Sequence, residues 1–238
     1  MEFRIEKTIG AILILNFAAW GDSLRVEVRH EHFGKGAIGQ IEIGENAISF
    51  KEAGKNSAHS WEWKYEDIQQ LTLSPTELRI LTYDDQKWQF GRDREYAFDH
   101  LPPDFASQIY SLLRTRLDQR FIVHLPDSDV KPSWQIGAKL QRRFGGPQGV
   151  LLVSEDRIVF KAYDGESHTW RYSDIENVSA SGPFDLSITT SERSGWLRGS
   201  MTDYHFQLKQ VLPDDRYNDL WRRVNQAKGL AIVLPTTQ

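Results

Sequence analysis

The chain has no cysteine among its 238 residues. Disulfides, thiolate nucleophiles, thiolate zinc sites and a bacterial lipoprotein anchor are therefore excluded, although the absence fits cytosol and periplasm equally well. Basic runs are scarce too: Lys and Arg total 29 against 33 Asp and Glu, for a formal charge of −4. Nucleic-acid binding draws much of its affinity from cations that neutralise phosphates, so no nucleic-acid partner is expected. The same shortage argues against tight docking on an anionic membrane, which needs clustered Lys and Arg. The apolar run from Ile9 to Trp20 falls short of the roughly 20 residues that span a bilayer. It suits the apolar core of a secretory signal peptide, with Ala19 and Gly21 at the two small-residue positions before a cut at Asp22. Glu2 and Glu6 offset Arg4 and Lys7 ahead of it, and the alternative is a buried N-terminal helix or strand. The expectation is a periplasmic or secreted protein rather than a cytoplasmic one.

What the chain does have is apolar mass and a repeat. Hydrophobic residues make up 39% and there are eight Trp, enough to offset the ordering entropy of real cores. Trp63-Lys-Tyr-Glu-Asp-Ile68 returns as Trp170-Arg-Tyr-Ser-Asp-Ile175 at a spacing of 107 residues. Gly39, Ile41, Ile43, Ile48 and Phe50 return as Gly149, Leu151, Val153, Ile158 and Phe160 at a spacing of 110. Phe33-Gly34 and Leu101-Pro102 pair with Phe144-Gly145 and Leu212-Pro213 at 111. Matched positions that are apolar and keep their order over most of each half indicate an internal duplication.

Within each copy the apolar period is two. Ile41 and Ile43, Ile48 and Phe50, and Trp61, Trp63 and Tyr65 each share a strand face, and Leu78, Ile80 and Trp88, Phe90 flank an Asp84-Asp85 turn. The period then changes to that of a helix. Phe105, Ile109, Leu112, Leu113 and Leu117 form one stripe after Pro102-Pro103-Asp104; Tyr217, Leu220, Trp221 and Val224 form the other, which stops at Gly229. About seven short strands and one amphipathic helix per copy follow.

The hairpin Glu45-Asn-Ala-Ile-Ser-Phe-Lys51, the aromatic strands that run into Asp67-Ile68 and Asp174-Ile175, and the closing helix resemble the pleckstrin-homology-like superfamily, nearest its GRAM and bacterial branches. The resemblance covers nearly the whole chain after residue 24, twice. It implies a mainly β (α+β) fold: two tandem split barrels, each of about seven antiparallel strands capped by a C-terminal helix, over residues 24–120 and 121–238, with residues 1–23 as a candidate signal peptide or N-terminal segment. Asp67 and Asp174 are expected to cap a turn through backbone N–H groups, with Ile68 and Ile175 re-entering the core. The stretch from Phe121 to Trp134 starts like a strand, and the second unit is expected to lend it to the first.

Catalysis needs convergent titratable groups, and no motif supplies them. His30 and His32 share a strand face and could seed a metal site, but an exposed edge accounts for them as well and no further ligand spacing follows. Gly34, Gly36 and Gly39 miss the spacing of a dinucleotide fingerprint and open a strand rather than a helix. No catalytic residue, metal or cofactor is assigned. The candidate ligand-binding residues are Trp61, Trp63 and Trp170, as an aromatic platform or as core, and the cations Lys35, Arg142 and Arg143. In lipid-binding relatives a basic first loop meets the headgroup; here that loop holds only Lys35 in the first copy, with Arg142 and Arg143 just ahead of it in the second. The expected function is a non-enzymatic scaffold that binds a protein or peptide partner; membrane-surface or small-ligand binding is the alternative, and a metal-dependent enzyme ranks last.

Overall fold

The computed structural model describes residues 23–31, 36–54, 59–85, 93–102, 104–192 and 201–229. The first copy contributes β1 (Leu24–His30), β2 (Ala37–Ile43), β3 (Ala47–Glu52), β4 (Ser60–Lys64), β5 (Ile68–Leu73), β6 (Glu77–Asp85), β7 (Asp93–Asp99) and α1 (Phe105–Leu113). A short β8 (Arg120–Val123) follows. The second copy contributes β9 (Trp134–Leu140), β10 (Gln148–Val153), β11 (Arg157–Ala162), β12 (His168–Arg171), β13 (Ile175–Ser179), β14 (Asp185–Thr190), β15 (Thr202–Leu208) and α2 (Asp214–Ala227).

The expectation of a mainly β chain holds, but that of two separate helix-capped barrels does not. Among the described residues, all 15 strands form one mixed sheet in the order β13-β14-β15-β9-β10-β11-β12-β8-β5-β6-β7-β1-β2-β3-β4. Among the described residues neither β4 and β5 nor β12 and β13 pair, so the described strands of neither half close on themselves. The physical reason lies in β8. It runs parallel to β5, with Gln70 opposite Arg120 and Leu73 opposite Val123, and it meets β12 through Thr169 and Val123. Its backbone thus satisfies an edge of each half, and two would-be barrel edges become the interior of a single sheet. The strand lent by the junction is the one anticipated from the sequence, although it joins both copies rather than one.

Two apolar cores lie along this sheet. The first gathers Ile41, Ile43, Ile48, Phe50 and Trp63 with Ile109 and Leu113 of α1; the second gathers Leu151, Val153, Ile158, Phe160 and Trp170 with Leu220 and Val224 of α2. Trp221, placed on the inner stripe by its spacing, is 41% exposed. The matched glycines carry the same duty. A Cβ on Gly39 would stand 2.4 Å from the Lys51 carbonyl oxygen, and one on Gly149 would stand 2.2 Å from that of Lys161. Both positions admit only glycine without movement of the neighbouring strand. The tyrosines of the repeated motif are likewise equivalent: the Tyr65 hydroxyl donates to the Gly44 carbonyl at 2.7 Å, and that of Tyr172 to the Ser154 carbonyl at 2.6 Å.

Candidate functional site

Two features of the sheet can engage something outside the fold: its end at β4 and its junction at β8. At β4 the pairing with β3 runs from Ala47 opposite Lys64 to Lys51 opposite Ser60. Glu52 N–H donates to the His59 carbonyl just before it, and Tyr65 N–H donates to the Asn46 carbonyl just after it. Antiparallel alternation then points the backbone groups of Trp61 and Trp63 at β3, and those of Ser60, Glu62 and Lys64 away from it. Among the described residues no strand pairs with that outer edge.

The predicted aromatic platform sits behind this edge, inside the fold. Trp63 and Trp170 are buried in separate cores, and Trp61 is half-buried. Trp61 stacks on Phe50 and Trp63 at ring separations of 5.7 and 6.1 Å. His30, half of the suggested histidine pair, lies in the same cluster 4.9 Å from the Trp61 ring, and His32 is outside the described residues. Lys35 is also outside them. Arg142 is held by Glu166 at 2.5 Å, and Arg143 extends over the exposed Phe144 ring, 5.3 Å from its centroid. Among the described residues neither Arg142 nor Arg143 meets one of the three tryptophans; Arg142 instead reaches the junction at β8.

At the junction the second copy grips β8. Asp174 is buried and accepts the Phe121 N–H at 3.3 Å, while Arg171 forms two hydrogen bonds to Asp174 and also donates to the carbonyls of Leu117 and Gln119. Burial pushes the Asp174 carboxyl up, and Arg171 opposes the shift. The predicted turn cap is thus replaced by a bond to a strand 53 residues away in sequence. Asp67, its counterpart, is exposed, and its turn has no side-chain cap. Buried Asp127 completes the grip by accepting from the Tyr110 hydroxyl of α1 at 2.9 Å and by an ionic contact with Arg157 Nε of β11 at 2.8 Å. A cleft of about 590 Å³ opens beside these groups, lined by Arg114, Arg157, Arg171 and Arg223. Each of the four already meets an aspartate, so the cleft offers little free positive charge.

Next to β8 the structure assembles residues that sequence reasoning missed. His124 donates its backbone N–H to the Leu73 carbonyl at 2.8 Å, which fixes it at the seam. Its Nδ1 lies 2.6 Å from Glu166 Oε1, and its Nε2 faces Glu192 Oε1 at 3.7 Å, an ionic contact longer than a hydrogen bond. His168 on β12 is 1% exposed, stacks on Trp170 at 5.2 Å, and has Nε2 3.9 Å from Glu166 Oε1. Burial opposes a charge on His124, but Glu166 and Glu192 outweigh it and raise its pKa to about 9. The His124 hydrogen bond holds Glu166 down at about 2. Burial, with the His124 charge nearby, pushes His168 down to about 4, so its imidazole is neutral at pH 7. One sequence signal could have revealed the cluster. At the spacing of 107 residues His168 occupies the place of Trp61 and Glu166 that of His59, so a titratable ring replaces an aromatic one at a matched inward position.

No family model matches the chain, and no curated protein does either. Among solved structures it is similar to a chain described as the structure of the Spt16D Pob3N heterodimer, at 12% identity and a TM-score of 0.33, over 79% of this chain and 97% of that one. A likeness of that size identifies neither a family nor a partner.

Proposed function

We propose that this protein is a non-enzymatic binding module that takes an extended segment of a partner protein as an added strand on the outer edge of β4. The observation that carries the reading is internal to the molecule. β12 is the counterpart of β4, and its outer edge receives β8 through Thr169. Glu62 stands at the position of Thr169 at the spacing of 107 residues, and its outward backbone groups have no strand opposite them among the described residues. In one copy β8 fills this edge, while in the other no described strand covers it. Main-chain hydrogen bonds supply affinity in strand addition, and side chains on alternate faces supply selectivity. The occupant is a protein segment rather than a lipid, because the lining offers alternating backbone donors and acceptors with Glu62 and Lys64 of opposite charge, and no cluster of free cations among the described residues.

The test is selection of linear peptides from a displayed library against the full chain, followed by binding to Glu62→Pro. Proline removes the outward N–H of Glu62 without touching a β3 hydrogen bond, so the variant should keep its melting temperature and lose at least tenfold in affinity. Amide exchange should slow at Ser60, Glu62 and Lys64 when peptide is bound. Equal binding by the variant, or protection elsewhere, overturns the reading. Affinity that appears only after removal of residues 1–22 would assign the edge to the chain's own Ile9–Trp20 run.

A further inference from the structure

We propose that His124, Glu166 and His168 bind one divalent first-row transition ion, with Zn²⁺ as the reference ion, at the seam between the two copies. The inference does not depend on the peptide reading. Two imidazoles and a carboxylate are the donor types that zinc-class ions take, and the three donor atoms lie within 4.8 Å of one another. Such an ion sits about 2.1 Å from nitrogen and oxygen donors, so binding would replace the direct 2.6 Å contact between His124 Nδ1 and Glu166 Oε1.

Three independent features point to a ligand. First, both ring nitrogens of His168 are buried without a hydrogen-bond partner, an arrangement that costs free energy unless something fills it. Second, Glu166 is oriented for a shared ion: Oε2 is held by Arg142 at 2.5 Å, while Oε1 is the oxygen that faces both imidazoles. Third, Glu192 lies on the far side of the His124 ring, and its other oxygen accepts the Tyr204 hydroxyl at 2.6 Å. A carboxylate behind a metal-bound imidazole fixes its ring and raises its basicity. Glu166 and His124 are only partly buried, which leaves a path for entry. Three protein ligands leave a fourth position for water or a partner's side chain. The ion would join His124, anchored to β5 through Leu73, to His168 of β12, and so close the junction from both sides.

The competing occupant of the same geometry is a proton on His124 bridging Glu166 and Glu192. Untagged full-length protein, stripped with chelator and dialysed, should take up one Zn²⁺ per chain by calorimetry and elemental analysis. It should melt several degrees higher in excess Zn²⁺. Co²⁺ in its place should give visible absorbance of a low-coordinate nitrogen and oxygen site. His168→Phe, which keeps the stack on Trp170, and Glu166→Gln should each weaken Zn²⁺ binding at least tenfold, and Glu192→Gln roughly tenfold. No stoichiometric uptake by the unmodified chain, or uptake unchanged in both His168→Phe and Glu166→Gln, overturns the proposal and leaves the proton bridge. If His168→Phe fails to fold, Glu166→Gln alone decides between the two.

Discussion

At the end of β4 the first copy leaves Asp67 on the surface; 107 residues later the second copy buries Asp174 beneath Phe121 and clamps it with Arg171. The flanking residues differ little, and Ile48, Phe50 and Trp63 of the core behind the first recur as Ile158, Phe160 and Trp170 behind the second. What differs is the presence of β8. One short strand turns a solvent-facing corner into an interior one, and with it a dispensable carboxylate into a buried ion pair. The comparison teaches that duplication copied the core, while the junction assigned new duties to surface positions.

The comparison would break most visibly in the cores. Phe50→Ala and Phe160→Ala each empty a site that is at most 1% exposed and should each cost about 3–5 kcal/mol, as read by urea unfolding. Because the sheet continues through β8, both variants should still unfold in one transition by circular dichroism. Two transitions would mean that the copies are coupled only loosely. A sharper contrast follows at the corner. Asp174→Ala leaves Arg171 without its carboxylate and the Phe121 N–H without its acceptor, and should cost about 3 kcal/mol, while Asp67→Ala should stay within about 0.5 kcal/mol. Similar losses at both positions would remove the asymmetry argued from β8.

The smallest effect concerns pH. The hydrogen bond from Arg29 holds Asp99 well below its ordinary value of 3.8, at about 2. A depressed carboxyl pKa contributes stability that is complete above 3.8 and lost as pH falls through 2. At the matching strand pair the second copy sets Lys139 opposite Gln207, which carries no charge. Asp99→Asn should therefore flatten part of the acid decline in melting temperature between those two values, and an unchanged decline would show that this half-buried pair contributes nothing.

Much of the fold was legible because it rests on local pattern. Alternation of Ile41, Ile43, Ile48 and Phe50 marks strands wherever they end up, since side chains on a strand face opposite sides in turn. Repetition of that pattern at a fixed spacing shows two equivalent cores. The site was far less legible. His124, Glu166, His168 and Glu192 spread over 69 positions of the chain, and no local spacing links them. His30 and His32 have the spacing of a ligand pair, yet His30 lies among aromatic rings.

The sequence by itself determined the periodicities, the duplication and the absence of thiol chemistry, because each is a property of residue types and their order. Only the tertiary structure decided that the copies share one sheet, that β8 fills the β12 edge while no described strand pairs with that of β4, and that two histidines meet a glutamate at the seam. The backbone groups of β8 could pair with more than one edge, and which edges they take depends on how the two packed halves bring β5 and β12 within hydrogen-bonding distance.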